Sequence, residues 1–321
     1  MSYTAVIRTL GTAGDKYKRL LNSLMSQTIP PRAILVYIPK FFPIPKETVG
    51  FERYIYVDKG MTAQRALGYE EVTTDYMLVL DDDLEFPPNT VEAMFNLLIS
   101  YEADVVSPDI FPNHLRGWHS ELMMTMSGRM RPRLFKDNYW GYKVMPTAGY
   151  TYNKKPKKDV YVSQTNAGAC FLCKKEDFLK INFEEELWLD KMQYPIGEDQ
   201  TMYYKMYCCG MKVLTWYNHQ VVHLDAGNNM TREKEQKRLY GDVFYKMVFW
   251  HRFLFLPQKS IIKNLRNSLA IIYYMLFTLL ISLIKFDFDI LESKTNALKD
   301  AFSFINSDEY KTLPKINYNY E

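Results

Sequence analysis

An excess of charge of either sign is missing from this sequence. Forty Lys and Arg against 37 Asp and Glu leave a formal net charge of +3 over 321 residues, with no clustered basic stripe of the kind that marks a nucleic-acid partner. Nucleic acid is therefore not expected. Cysteine is scarce, with four in the chain, and that fits a cytosolic compartment where thiols stay reduced. Cys170 and Cys173 form a C-x-x-C and Cys208 and Cys209 are adjacent, but GACFLCKK reads as an apolar strand and MYYKMYCCG as the end of an apolar helix. Small buried cysteines account for both pairs better than a zinc site. The opening MSYTAVIRTLG lacks a basic segment followed by a long apolar one, so no secretory signal is expected and the chain is placed in the cytoplasm. The signature of disorder is also missing, since 47% of residues are hydrophobic and 15% aromatic. No internal repeat is visible. The one local basic run, Lys154, Lys155, Lys157 and Lys158 around Pro156, reads first as a solvated loop and second as a contact for phosphates or anionic lipid.

What is present is an alternation of strand and helix signals. YTAVIRT (3–9) is β-branched and apolar, KYKRLLNSLMSQ (16–27) carries Leu20, Leu21, Leu24 and Met25 at helical spacing, and AILVYI (33–38) is strand-like again. That is β-α-β, which implies a parallel sheet. A strand near 54–57, a helix over 62–71, a strand over 76–80, a helix over 88–101 and a strand over 103–107 continue the pattern. Residues 110–165 break it: they are rich in Trp, Tyr, Pro, Arg and Lys without a sustained period, as lids and binding surfaces are. A strand at 168–173 and helices near 176–180 and 199–209 follow.

After His223 the character becomes helical. An aromatic-rich segment, VFYKMVFWHRFLFL (243–256), precedes 18 uncharged residues from Asn267 to Ile284. As a helix the latter would be about 27 Å long, just under a bilayer core of about 30 Å. With Lys259, Lys263 and Arg266 before it and Lys285 after it, a helix lying in the membrane interface is the first reading, a span the second and a buried helix the third.

The chemistry concentrates at YMLVLDDDLE (76–85). Asp81, Asp82 and Asp83 directly follow an apolar strand, at the C-terminal end of a parallel strand where open α/β sheets bind ligands. Adjacent carboxylates repel, and a hard divalent cation would relieve them, since carboxylate oxygens suit Mg²⁺ or Mn²⁺ and the metal can grip a diphosphate. An Asp-rich approach to a turn, with Asp83 as a cap, is the structural alternative. A haloacid-dehalogenase-like phosphatase would use Asp81 as nucleophile and Asp83 as acid, but Glu85 stands where that motif has Thr or Val.

YEEVTTDYMLVLDDDLEF, with GMTAQRALG upstream and NAGACFLCKKEDF, FEEELWLDKMQYPIGEDQTMYYKMYCCGMKV and VVHLDAG downstream, resembles the family 2 glycosyltransferases of the GT-A fold. The resemblance covers about residues 3–225. The tail, YKMVFWHRFLFLPQKS and the apolar segment after it, is similar to rhamnosyltransferase-like members that assemble polysaccharide at membranes. The resemblance implies a Rossmann-like α/β domain at 1–225 with a mostly parallel central sheet, 110–165 as its acceptor-side insertion, and a helical, membrane-associated appendage at 226–321. It implies a nucleotide-sugar donor, Mn²⁺ or Mg²⁺ as cofactor, and a glycan or lipid-linked glycan acceptor at the cytoplasmic face of a membrane.

Roles follow residue by residue from the same resemblance. Asp83 and His223 would hold the metal, His223 on a strand VLTWYNHQVVH. Asp81 and Asp82 would face the ribose or share the metal, and Thr9 and Arg65 would contact the nucleotide. Asp199 in Gly197-Glu198-Asp199 would be the general base of an inverting displacement, with Glu198 orienting the acceptor or supporting the loop. Each also has a structural alternative: a core histidine at a strand end for His223, an N-cap for Asp199. Trp188 is expected near the acceptor, because sugar faces stack on aromatic rings. One departure stands out: Tyr37-Ile38-Pro39 closes the second strand where many members have an Asp that reads the base. A catalytically inactive scaffold of this fold is the non-enzymatic alternative.

Overall fold

A computed structural model of the chain describes residues 1–110, 117–130, 139–153, 155–192, 194, 196–224 and 231–316. Strands β1 (Tyr3–Arg8), β2 (Ala33–Pro39), β3 (Glu52–Val57) and β4 (Tyr76–Asp81) form one half of an eight-stranded sheet, with α1 (Asp15–Met25) crossing between the first two. β1 is buried at all six positions, as its unbroken apolar run demands of a strand covered on both faces. α1 turns Tyr17, Leu20, Leu21 and Leu24 into the core, the stripe expected from its spacing. A short β5 (Leu84–Glu85), α2 (Thr90–Ser100) and β6 (Val105–Pro108) follow, then α3 (Trp118–Met126) and a hairpin of β7 (Tyr142–Val144) and β8 (Tyr150–Tyr152). β9 (Val160–Ser163), β10 (Cys170–Lys174), α4 (Lys175–Leu179), α5 (Glu198–Cys208) and β11 (Val213–Trp216) complete the sheet layer.

The sheet order is β3-β2-β1-β4-β10-β6-β11-β9. β3, β2, β1 and β4 are mutually parallel, as are β6 and β11, while β10 runs antiparallel between β4 and β6 and β9 antiparallel on the edge. This mixed α/β arrangement with a mostly parallel sheet fits the expected fold. Its register matters for the site: β1 and β4 pair so that Arg8 lies beside Asp81.

Two expected elements are different. Residues 61–66 form turns, not a helix over 62–71, closed by Gln64 N to Gly60 O and Ala66 N to Thr62 O. Gly68 and the positive φ of Tyr69 end that turn before a helix can propagate. The strand expected to run through His223 is broken after Trp216; the chain turns and re-pairs as β12 (Val222–His223), antiparallel to β5. All four cysteines are unpaired, three of them buried.

The C-terminal helices are α6 (Arg232–Phe249), α7 (Ile261–Ile284), α8 (Phe288–Asn306) and α9 (Asp308–Thr312), with one π-helical turn at Trp250–Phe255 after α6. They do not stand apart from the sheet. One apolar cluster runs from Val6, Val79 and Phe171 in the strands through Met202 and Tyr203 of α5 to Phe249, Phe253, Ala297 and Tyr310 in the tail. The aromatic-rich segment expected at a membrane interface is thus core: Phe249 and Phe253 are fully buried and stack at 4.7 Å between centroids.

A buried charge network fastens this joint. Glu186, with no exposed surface, accepts hydrogen bonds from Arg252 Nη2 (2.7 Å), Arg252 Nε (2.9 Å) and Trp188 Nε1 (2.7 Å), and Lys205 Nζ lies 3.0 Å away. Burial pushes its carboxyl pKa up, but Lys205 and Arg252 outweigh that and hold it below the usual range. Arg252 also donates to Pro314 O at 3.0 Å, so the π-helical turn aims one guanidinium at both the sheet domain and the chain's last described residues. Glu186→Gln leaves buried Lys205 and Arg252 with Glu185, 2.8 and 3.5 Å away, as their remaining carboxylate and is expected to cost about 1.5–3 kcal/mol. Urea unfolding followed by far-ultraviolet circular dichroism and by tryptophan fluorescence should show one shared transition shifted by that amount; a loss under about 1 kcal/mol contradicts the role.

Candidate active site

The three adjacent carboxylates are separated, each turned to its own partner. Asp81, the last residue of β4, pairs with the buried Arg8, whose Nη2 donates to Asp81 Oδ1 and to Gly168 O at 2.7 Å each. Asp82 Oδ2 accepts a short hydrogen bond from Thr9 Oγ1, and Gly11 N donates to that hydroxyl at 2.8 Å. Burial raises the Asp82 pKa to about 6, Thr9 opposing the rise and Asp83 and Asp81 adding to it. Asp83 points to His223, with Nε2 3.2 Å from Oδ1. The antiparallel β5–β12 pair makes this contact, and Leu224 N donates to Asp83 O at 2.8 Å. The alternation of strand side chains and the turn after β4 thus send like charges in different directions.

Asp83 Oδ1 is buried yet accepts no hydrogen bond, although the imidazole nitrogen is so close. A carboxylate oxygen and an imidazole nitrogen at this separation suit two neighbouring ligands of one octahedral cation, for which about 3.0 Å follows from bonds of about 2.1 Å. The pair therefore fits a divalent metal. No cluster of three or more His, Cys, Asp or Glu able to hold a metal exists among the described residues. A cation here would take its remaining ligands from water and from phosphate oxygens, the usual habit of Mg²⁺ at phosphate sites.

A second carboxylate pair lies across Gly168. Gly197, at φ 88°, leads into α5; an added Cβ would meet the Tyr245 ring at 2.3 Å, so only glycine fits the angle and the space. Glu198 and Asp199 then open the helix. Asp199 Oδ1 accepts from Arg65 Nε at 3.1 Å and lies 3.0 Å from Nη2, while Glu198 Oε1 is 4.0 Å from Nη2. An added Cβ on Gly168 would sit 2.0 Å from Asp199 Oδ1, so that glycine is what admits the carboxylate. Asp199 makes no capping bond to α5. Its side chain is about a third exposed, against 11% for Glu198.

One expectation, for Trp188, needs correction, and the other expected residues find internal partners. Arg65, expected at the nucleotide, is buried and donates to Asp199 and to Met61 O (2.9 Å), so it orients a carboxylate. Asp81 is ion-paired with Arg8, and Asp82 accepts from Thr9, so each has its own internal partner. Trp188 is 3% exposed, packed on Phe244 and Phe304, and cannot offer its ring to an acceptor. Tyr37 is buried with its hydroxyl on Glu71 at 3.2 Å, so the end of β2 carries no outward carboxylate. Of the basic run, Lys154 lies outside the described residues, as does the turn 225–229; the described Lys155, Lys157 and Lys158 are exposed.

Sequence reasoning missed three positioning residues. Arg8 lies one residue before Thr9, and only the β1–β4 register reveals it. Asp190 accepts from Thr62 N and Ala63 N at 2.8 Å each, holding the turn that carries Arg65. Gly168, inside NAGACFL, gave no signal beyond being a glycine before a strand.

Residues 53–178 match the family model of Glycosyl transferase family 2. The matched stretch runs from β3 to α4 and contains Arg65, the Asp triplet and Gly168, though not Asp199 or His223. No curated protein gives a significant match. Among solved structures, the mannosyltransferase PcManGT from Pyrobaculum calidifontis, in complex with GDP-Man and Mn²⁺, aligns over 97% of this chain and 78% of its own at 12% identity and a TM-score of 0.49. TarS 1–349 from S. aureus, in complex with UDP-GlcNAc, aligns over 94% and 81% at 11% identity and 0.47. GalNAc-T7 with UDP, GalNAc and Mn²⁺ aligns over 86% of this chain at 16% identity and 0.48, and this chain spans 55% of it.

The buried Glu198 makes a pH test of the site. Burial, and then the neighbouring Asp199, raise its pKa from 4.5 to about 7, with Arg65 opposing. Unfolding frees that carboxyl to ionise, so its contribution to stability is lost as pH rises from about 4.5 through about 7. Glu198→Gln removes this titration. Urea unfolding at the two ends of the window should show a smaller loss on the alkaline side for the variant than for the parent; identical pH dependence contradicts the raised pKa.

Proposed function

We propose that the chain is an inverting, metal-dependent glycosyltransferase that moves a sugar from a nucleotide-sugar donor to a hydroxyl of a glycan or lipid-linked glycan, working at the cytoplasmic face of a membrane in polysaccharide assembly. The observation that carries the reading is the facing pair Asp83 and His223, with a buried carboxylate oxygen that accepts no hydrogen bond, at the end of a strand within the family match. Asp83 and His223 would hold the cation, which when bound would supply positive charge to the leaving diphosphate.

The remaining chemistry belongs to the chain's own side chains. Asp199 takes the proton from the acceptor hydroxyl as that oxygen bonds to the anomeric carbon and the bond from this carbon to the diphosphate oxygen breaks on the opposite face. Arg65 and Gly168 fix the direction of the Asp199 carboxylate. Arg8 draws Asp81 aside, leaving the metal position to Asp83. The phosphatase alternative loses support at the same contact, because its nucleophile would be Asp81, whose Oδ1 is bound to a buried guanidinium.

An interaction made in the transition state lowers turnover without weakening donor binding. Asp199→Asn keeps the shape and removes the base, so transfer is expected to fall about 10²- to 10⁴-fold with donor affinity nearly unchanged. The assay is a nucleotide-sugar panel with Mn²⁺, read as transfer and as nucleotide-sugar affinity for parent and variant. Full turnover in Asp199→Asn would show that another group is the base.

A further inference from the structure

The membrane part of the reading above acquires a specific site at α7. This helix, Ile261–Ile284, is long and apolar enough to cross a membrane by length and composition, yet only 28% of its most apolar stretch is buried. Its exposed stripe comprises Leu265, Leu269, Ile272, Leu276 and Leu280. The opposite face is engaged: Ile271, Tyr274 and Met275 are buried, and Asn267 donates to Leu254 O at 3.1 Å. A crossing orientation would require this side to leave the core, whereas a helix lying in the interface keeps both faces satisfied.

A second apolar stripe lies beside the first. On α3, Trp118, Leu122 and Met126 recur at every fourth position and are 74%, 46% and 48% exposed. Tyr273 of α7 donates to Met126 O at 2.6 Å, which joins the two helices. Between them lies a cleft of about 180 Å³ lined by Met124, Ser127, Arg129, Tyr274, Phe277 and Ile281.

Among the described residues, the floor of that cleft is lined by basic groups. Arg129 faces Asp242, Tyr274 and Tyr150, and its guanidinium has no hydrogen bond or ion pair with any described residue. Asp242 is already engaged by Lys246 Nζ and by the Tyr274 hydroxyl at 2.7 Å. Lys246 is buried, and so is Lys294, whose Nζ bonds Thr278 O at 2.9 Å and Ser282 Oγ at 3.0 Å. Arg238 lies in electrostatic reach of Lys246, Tyr274 and Lys294, with a buried Nε that finds no partner. Among the described residues, Arg129, Lys246 and Lys294 thus share Asp242, with Arg238 in reach of the two lysines and Asp287 also in electrostatic reach of Lys294. Exposed Lys263, Arg266 and Lys285 add positive charge near the two ends of α7.

We propose that α3 and α7 form an in-plane membrane-docking face whose cleft at Arg129 receives the phosphate of an anionic lipid headgroup, the acyl chains lying against the two apolar stripes. An anion there meets the Arg129 guanidinium, and the stripes supply the apolar partition that a soluble phosphate lacks.

Vesicle flotation of the full-length protein tests this, with phosphatidylcholine vesicles and with vesicles also containing phosphatidylglycerol. The parent should float preferentially with the anionic vesicles. Arg129→Gln should bind them about fivefold more weakly and Arg129→Lys should retain most of the preference, while Leu269→Glu combined with Ile272→Glu should not float at all. Thermal melting of each variant and hydrolysis of nucleotide-sugar in the absence of acceptor should match the parent, which separates failure of this site from failure of the glycosyltransferase reading. Equal binding of parent and Arg129→Gln to anionic vesicles overturns the phosphate site. A parent that never floats, or one released by excess glycerol phosphate alone, overturns the docking face or its commitment to a lipid.

Discussion

The separation of three adjacent carboxylates is the constraint on which the site depends. Asp81, Asp82 and Asp83 could not share one small volume without a counter-charge, and the chain solves this by giving each a partner from a different element: Arg8 on β1, Thr9 just after it, and His223 on β12. The parallel register of β1 and β4 is the decisive piece, because it sets Arg8 beside Asp81 and Thr9 within reach of Asp82. What remains at the strand end is a single carboxylate with an unsatisfied oxygen next to an imidazole. That is a much more specific ligand set than a triplet of acids.

The same economy appears on the other side of the site. Gly168 lies where its carbonyl accepts from Arg8 and its missing side chain admits Asp199, so one residue couples both carboxylate groups. Gly197 couples the site to the tail, since Tyr245 of α6 packs against its backbone. The tail is therefore part of the wall of the candidate site, held by the Glu186 network and by shared core. A helix that belongs to this core on one face and is bare and apolar on the other is well placed to bring the site to a surface.

The sheet was legible because its strands are unbroken apolar runs and its helices carry clear stripes, as in AILVYI and KYKRLLNSLMSQ. The turn at 61–66 was not, because its apolar spacing imitates a helix while its fixed point, Asp190, lies far away in sequence. His223 was found by its motif, but its placement came from β12 pairing with β5, a two-residue ladder too short to read from a pattern. Trp188 misled for a physical reason: an amphipathic ring is as useful in a core with Glu186 to take its N–H as at a sugar site. The contact of Arg65 with Asp199 was not legible, since spacing cannot show which partner a long side chain selects.

The central proposal is that Asp83 and His223 are, among the described residues, the protein ligands of a cation whose other ligands come from the substrate's phosphates and water. Calorimetric titration of Mn²⁺ into the protein, with and without a nucleoside diphosphate, tests it most directly. The account predicts weak binding of Mn²⁺ alone and strong, mutually dependent binding of metal and nucleotide, lost together in Asp83→Ala. Tight Mn²⁺ binding without nucleotide, or nucleotide binding indifferent to the metal, would contradict it.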